Sequence, residues 1–287
     1  MTADPPASAG RAAAGAPPPG PAGGSGSRSA PCVLAPNPSP MTRDGTNTWL
    51  IAAPGSPSVI VVDPGPADEG HLRRVSALAT RDGRRVGQIL LTHGHADHSA
   101  GARRLAELTG APVRAADPAH RIGGGHLGPG DVLTGAGAEI RVLATPGHSA
   151  DSVCFLLAPD DVLLTGDTVL GRGTTVIAGD GNLGDYLQSL DRLRALADSA
   201  RLTALLPGHG PVLRDPAGTL DYYIGHRRDR LAEVTAALAA GDRTPAEIVA
   251  RVYADIDRRL REFAEWSVRA QLDYLGERGE LPPDVRK

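Results

Sequence analysis

Residues 90–101 read LLTHGHADHSAG and place His93, His95, Asp97 and His98 within six positions at the end of an apolar run. Three imidazoles and a carboxylate so crowded are poor packing material, because each carries polar atoms that burial penalises unless they find partners. The preceding "VGQILLT" reads as a buried strand, and the following "SAGARRLAELTG" as a helix closed by Gly110. The cluster therefore sits on a strand-to-helix loop. On a helix, His93, His95 and His98 would point three ways; on a loop they can turn to one point, and Gly94 and Ala96 are small enough to allow the tight path.

A metal site built this way needs donors from other strand ends, and the chain supplies them. "TPGHS" puts His148 after the strand "IRVLA", "LLTGDT" puts Asp167 after "DVLL", and "LLPGHG" puts His209 after "TALL". Five histidines and two aspartates result, five of the nine histidines in the chain. Nitrogen and oxygen donors without thiolate suit zinc, with iron and manganese as alternatives. Seven donors exceed the needs of one tetrahedral ion and fit two ions about 3.5–4 Å apart, bridged by a carboxylate and a water.

"THGHADH", followed in order by "TPGHS", "TGD" and "LPGHG", resembles the ligand series of the metallo-β-lactamase superfamily, over roughly residues 47–211. The resemblance implies an α+β, four-layered αββα sandwich holding two Zn2+. It further implies that His93, His95 and His148 hold one ion, that Asp97, His98 and His209 hold the other, and that Asp167 bridges them. A water shared by two such ions has its pKa lowered from about 15.7 toward about 7, so a bridging hydroxide is available to attack an acyl carbon or a phosphorus. Asp97 is assigned the catalytic role of orienting or deprotonating that water while ligating. The common zinc β-lactamases are exported, and many use a cysteine where this chain has Asp167. With neither an export signal nor that cysteine, antibiotic hydrolysis is not expected.

Around this centre the chain reads as three parts: an Ala/Pro/Gly/Ser-rich disordered tail over 1–31, a catalytic domain over 32–216, and a winged-helix-like domain over 217–287. The strands "NTWLIAA" and "SVIVVDPG" read as a hairpin, and strands and helices then mix in an order that predicts a layered fold with mixed sheets. From Asp221 the pattern is helical only. Thr244, Pro245 and Glu247 form the signature of a capping box, and Leu260, Ala264, Val268, Leu272 and Leu275 fall on one helix face. "DYYIGHRRDR" through "LGERGEL" resembles the winged-helix domain appended to one branch of the superfamily, which includes a single-strand-specific endoribonuclease and carrier-protein thioesterases. Only "PPDVRK" follows, so the wing itself is expected to be vestigial.

Composition bounds what the chain can do. A formal charge of −3 gives no field attracting nucleic acid, and no apolar run approaches the roughly 18 residues a membrane span needs. A cytoplasmic, non-membrane enzyme is expected, with homodimerisation left open. Cys32 and Cys154 cannot build a disulfide framework. Ser99 and Ser149 read as loop groups rather than nucleophiles, and His71, His120, His126 and His226 as packing or hydrogen-bonding residues. Arg172 and Tyr186 are candidates to contact an anionic substrate group. Three functions are weighed: hydrolysis of a small-molecule or carrier-bound acyl thioester, cleavage of single-stranded RNA, and a winged-helix nucleic-acid-binding regulator. From Thr219 to Lys287 there are 12 basic and 13 acidic side chains, net −1, without the basic stripe that strand binding favours. The arginines at 227, 228 and 230 and at 258, 259 and 261 read as solvated helix faces. Acyl-thioester hydrolysis is placed ahead of RNA cleavage.

Overall fold

The structure is a computed structural model and describes residues 30–285. Of the tail expected over 1–31, all but the last two residues lie outside that range. Those two are already part of the fold: Ala30 is fully buried, and the carbonyl of Pro31 accepts from the Leu50 amide.

Alternating apolar residues build two sheets. The first has six strands in spatial order β1 (Cys32–Leu34), β2 (Asn47–Ile51), β3 (Ser58–Val62), β4 (Arg85–Leu90), β5 (Val113–Ala115) and β6 (Gly123–His126). β2 and β3 form the expected antiparallel hairpin, with Trp49 opposite Val62. The second has five, from β11 (Ala204–Pro207) through β10 (Val162–Gly166), β9 (Val153–Leu157) and β8 (Ala138–Ala144) to β7 (Val132–Gly135). Because side chains alternate across a strand, each sheet can bury both faces. Trp49, Ile51, Ile60, Val62 and Leu90 meet Val153, Phe155, Leu157, Leu164 and Leu206 in one core between the sheets. Their strand neighbours Leu50, Val59, Val61 and Ile89 face outward onto α1 (Glu69–Ala79) and α3 (Ala102–Thr109). Cys154, Leu156, Leu163 and Leu205 face outward onto α4 (Leu183–Ser199) and α5 (Pro216–Ala239). The result is the four-layered αββα sandwich. Full burial of Phe155 alone contributes about 1.5–3 kcal/mol by transfer.

The helices begin where their caps dictate. Asp68 accepts from the His71 amide, and Asn182 from the Asp185 amide. Thr244 and Glu247 close the capping box of α6 (Pro245–Val252). α5 runs for 24 residues and joins two cores. Its Leu220, Tyr223 and Ile224 pack against the sandwich, whereas Val234, Ala237 and Leu238 pack against α6 and α7 (Arg261–Glu277). No strand follows α7 among the described residues. Among those residues, no helix is long and apolar enough to cross a membrane.

Candidate metal centre

β3 and β4 run parallel in one sheet, β8, β10 and β11 are mutually parallel in the other, and their C-terminal ends gather on one edge of the sandwich. His93 and His95 follow β4, and Asp97 and His98 lie on the one-turn helix α2 (Ala96–Ser99). His148 follows β8, Asp167 follows β10 and His209 follows β11. Two glycines permit the approach. Gly147, at φ +137°, brings the chain against α4 so closely that a Cβ would stand 2.3 Å from the Tyr186 Cα. At Gly208 a Cβ would stand 2.5 Å from Asp167 Oδ1.

All seven donors expected from the sequence are brought together. His95 Nδ1 lies 3.1 Å from His93 Nε2 and 2.9 Å from His148 Nε2. On the other side His209 Nε2 lies 3.2 Å from His98 Nε2 and 3.1 Å from Asp97 Oδ2. Asp167 reaches both groups, with Oδ1 3.4 Å from His98 Nε2, and Oδ2 3.3 Å from His209 Nε2 and 3.8 Å from His148 Nε2. Within each of the triads His93/His95/His148 and Asp97/His98/His209 one donor atom per residue lies within 4.8 Å of the others. Tetrahedral donors at about 2.0–2.1 Å from a zinc ion stand about 3.3 Å apart, close to these spacings.

The far ring nitrogens point to the same use. His148 Nδ1 donates to Val176 O (2.8 Å), His209 Nδ1 to Gly45 O (3.1 Å), and His98 Nδ1 to Asp63 Oδ2 (2.9 Å). Thr92 Oγ1 lies 3.0 Å from His93 Nδ1 and itself donates to Asp63 Oδ2 (2.7 Å). With Nδ1 donating outward, each of these rings leaves Nε2 as the atom facing the shared space, where a metal would take the place of its proton. Asp167 Oδ1 is buried without a hydrogen-bond partner, a costly condition that a cation relieves. The residues therefore fit divalent cations.

Charge agrees with geometry. Burial and the neighbouring His98 and His148 hold His93 well below the ordinary histidine range, and burial lowers His148. Burial opposes protonation of His98 and His209 as well, yet Asp167 and Asp63 hold His98 well above that range, and Asp167 raises His209 to about 9. Burial likewise opposes ionisation of Asp167 and Asp97. The charges of His209 and His98 outweigh it at Asp167, and the hydrogen bond from His209 does so at Asp97, leaving both below the usual carboxylate range. The pocket thus gathers carboxylates that demand positive charge. It opens to solvent at His95, which is exposed, and at the partly exposed Asp97.

The remaining candidates separate. Ser99 Oγ donates to Gly94 O, and Ser149 Oγ to Asp151, so both are loop groups. The Cys154 and Cys32 thiols are pushed up by burial to about 11 and about 12, so neither offers a thiolate. Arg172 is exposed and paired with Asp44 at 3.3 Å. Tyr186 cannot meet a substrate, because it is fully buried and its hydroxyl donates to Thr168 O. Arg227, expected on a solvated helix face, is instead 8% exposed and donates to Thr175 O. Asp63 is not among the seven expected residues, although "SVIVVDPG" carries a similar signal, an acid at an apolar strand end with a glycine two residues on.

Residues 41–209 match the model of the metallo-beta-lactamase superfamily, and residues 244–280 that of the beta-lactamase associated winged helix domain. The chain is 32% identical over 240 residues to the atrochrysone carboxyl ACP thioesterase of Aspergillus fumigatus, covering 77% of this chain and 72% of that protein. It is 30% identical over 267 residues to the beta-lactamase-like protein 2 homolog of Drosophila melanogaster, covering 87% and 88% respectively. Its fold superposes on the crystal structure of a beta-lactamase domain protein from Burkholderia ambifaria with a TM-score of 0.74 at 25% identity, over 88% of this chain and 87% of the other.

Proposed function

The chain belongs to the metallo-beta-lactamase superfamily and is a hydrolytic enzyme of that fold; on this premise we propose that it hydrolyses an acyl thioester at a dinuclear site made by His93, His95 and His148 with Asp97, His98 and His209, Asp167 serving both ions. The observation that carries the dinuclear reading is the position of Asp167, one oxygen toward His98 and the other toward His209 and His148. Two divalent ions held there, zinc by the donor chemistry, would supply a water that ionises near neutral pH and a Lewis acid for the scissile carbonyl.

The chain's own groups do the rest. Asp97, with Oδ2 held by His209 Nε2 at 3.1 Å and its side chain 30% exposed, faces the open side and is placed to hold a water proton on its carboxylate. Val176 O and Gly45 O fix the rings of His148 and His209, so the donors do not reorganise as charge develops. A cavity of about 250 Å3, lined by His148, Asp167, Val176 and Phe263 among others, leads from the donors to α7. Its partly apolar lining, with Val176, Ile256 and Phe263, is suited to an acyl group. The relative named as an acyl-carrier-protein thioesterase supports a carrier-bound acyl substrate.

The test is to assay zinc-, manganese- and iron-loaded protein on acyl thioesters and on single-stranded RNA, beside Asp97→Ala. Thioester turnover lowered about 10²–10⁴-fold in Asp97→Ala is expected. RNA cleavage lost in that variant, with no thioester turnover by the parent, would replace this reading with a nuclease. Turnover surviving the double replacement His93→Ala/His95→Ala would remove the metal mechanism.

A further inference from the structure

Two arginines line the cavity beside the metal centre, and the carboxylate in that lining, Asp167, is turned to His98 and His209. Arg227, from α5, is 8% exposed; one guanidinium nitrogen donates to Thr175 O, and the group stacks over the Tyr186 ring at 5.0 Å. Its Nε is buried without a partner, and so is the Nε of Arg43, which lines the same cavity. Neither guanidinium forms an ion pair among the described residues. Asp44, next to Arg43 in the chain, is taken by Arg172. His226, which also lines the cavity, is held down to about 4 by burial and by Arg227, so it adds no charge at neutral pH.

Burying a guanidinium is costly unless an anion meets it in good geometry. Many arginines elsewhere in the chain are paired, as Arg104 is with Glu69 and Arg251 with Asp242, and others, such as Arg84 and Arg121, donate to backbone carbonyls through Nε. Here two arginines lining one cavity both lack an ion-pair partner, and the lining beside them includes the apolar Val176 and Phe263. A planar, forked donor matches a carboxylate through two parallel hydrogen bonds. We infer that Arg43 and Arg227 form a carboxylate subsite, and that the preferred substrate is a thioester whose acyl half bears a second carboxylate remote from the scissile carbonyl. The inference rests on the thioesterase reading for the reaction, though not for the binding. The scissile carbonyl lies at the His148 and Asp167 end of the cavity, and the thiol half leaves toward the open side at His95.

The test compares glutaryl-N-acetylcysteamine thioester with its methyl ester on zinc-loaded full-length protein, in the parent, Arg227→Gln and Arg43→Gln. The parent is expected to favour the free carboxylate by about tenfold or more in kcat/KM, chiefly through KM, and each variant to lose most of that preference. Arg227 also braces Thr175, so metal content and melting temperature are recorded for both variants, and the half-buried Arg43 gives the cleaner reading. In parallel, calorimetry measures glutarate against monomethyl glutarate on the same proteins; tenfold tighter binding of the diacid in the parent, lost in Arg43→Gln, is expected. Turnover of both thioesters with equal kcat/KM and equal binding of the two acids overturns the subsite while the thioesterase reading stands. Selective diacid binding that depends on the arginines, without turnover of either thioester, leaves the subsite standing and removes the thioesterase reading.

Discussion

On the proposed dinuclear reading, replacing Asp63 by Asn should weaken one metal ion selectively, through the hydrogen bonds that Asp63 makes. Asp63 is 1% exposed; Oδ1 accepts from the Thr92 amide at 2.8 Å, and Oδ2 from the Thr92 hydroxyl at 2.7 Å and from His98 Nδ1 at 2.9 Å. Its φ of +51° is one that Asn tolerates as well as Asp, so the exchange changes charge and not backbone strain. Asn keeps the first bond but turns the second oxygen into an NH2 aimed at two donors. Rotating the amide only moves the clash to the Thr92 amide. The least costly relief moves the His98 proton to Nε2, the atom 3.2 Å from His209 and 3.4 Å from Asp167, and there it blocks a metal. One charge-assisted hydrogen bond is worth about 1.5–3 kcal/mol, or about 10–100-fold in affinity. His93 suffers less, because Thr92 Oγ1 can still accept from its Nδ1. Titrating metal-free protein with zinc against a chromophoric chelator should therefore show the Asp97/His98/His209 ion weakened about 10–100-fold, and the other nearly unchanged. Two ions bound as tightly as in the parent would refute the tautomer argument.

At Gly208 a methyl group would stand 2.5 Å from Asp167 Oδ1 and 2.6 Å from His98 Cε1, so Gly208→Ala should displace both donors and lower kcat/KM by about 10²-fold, read beside metal content. His71 is 1% exposed, and burial together with Arg74 holds it down to about 4. Unfolded, it titrates near pH ~6.5, so the unfolded chain binds the extra proton between these values. The stability it contributes is whole above about pH 6.5 and is lost as pH falls toward about 4, up to about 3 kcal/mol. Urea midpoints of His71→Gln should accordingly fall less steeply over that range than the parent's. Stripping the metals with a chelator should lower the melting temperature by roughly 10 °C, from about 4 kcal/mol of binding linkage at a thousandfold excess over Kd. An unchanged melting temperature in demonstrably metal-free protein would show that the donors do not hold a stabilising ion.

What the sequence disclosed and what it hid divide along one physical line. Each of the seven candidate donors is announced locally, as a His or Asp past an apolar strand with a small residue beside it, and strands ending on one edge of a sandwich bring such residues together. The two inner faces were legible for the same reason, since Phe155 and Cys154 take opposite sides by alternation alone. β6 was not legible, because Gly123–His126 carries no strand-forming side chain and is held by its backbone to β5. β1 and β7 are short edge segments whose pairing is decided elsewhere in the chain. Arg172 and Arg227 show the limit most sharply. In sequence, Arg172 sits in the loop beyond Asp167, and Arg227 sits among arginines on a helix. Only the packing of α5 against residues 170–176 reverses their roles, with the Tyr223 hydroxyl tying Leu170 and Gly173 to that helix. That contact buries Arg227 beside the metal donors and leaves Arg172 to solvent and Asp44. A ligand is specified by its own strand; a buried unpaired cation is specified by what a distant helix covers, so the substrate-facing half of the site needed the tertiary structure to be seen.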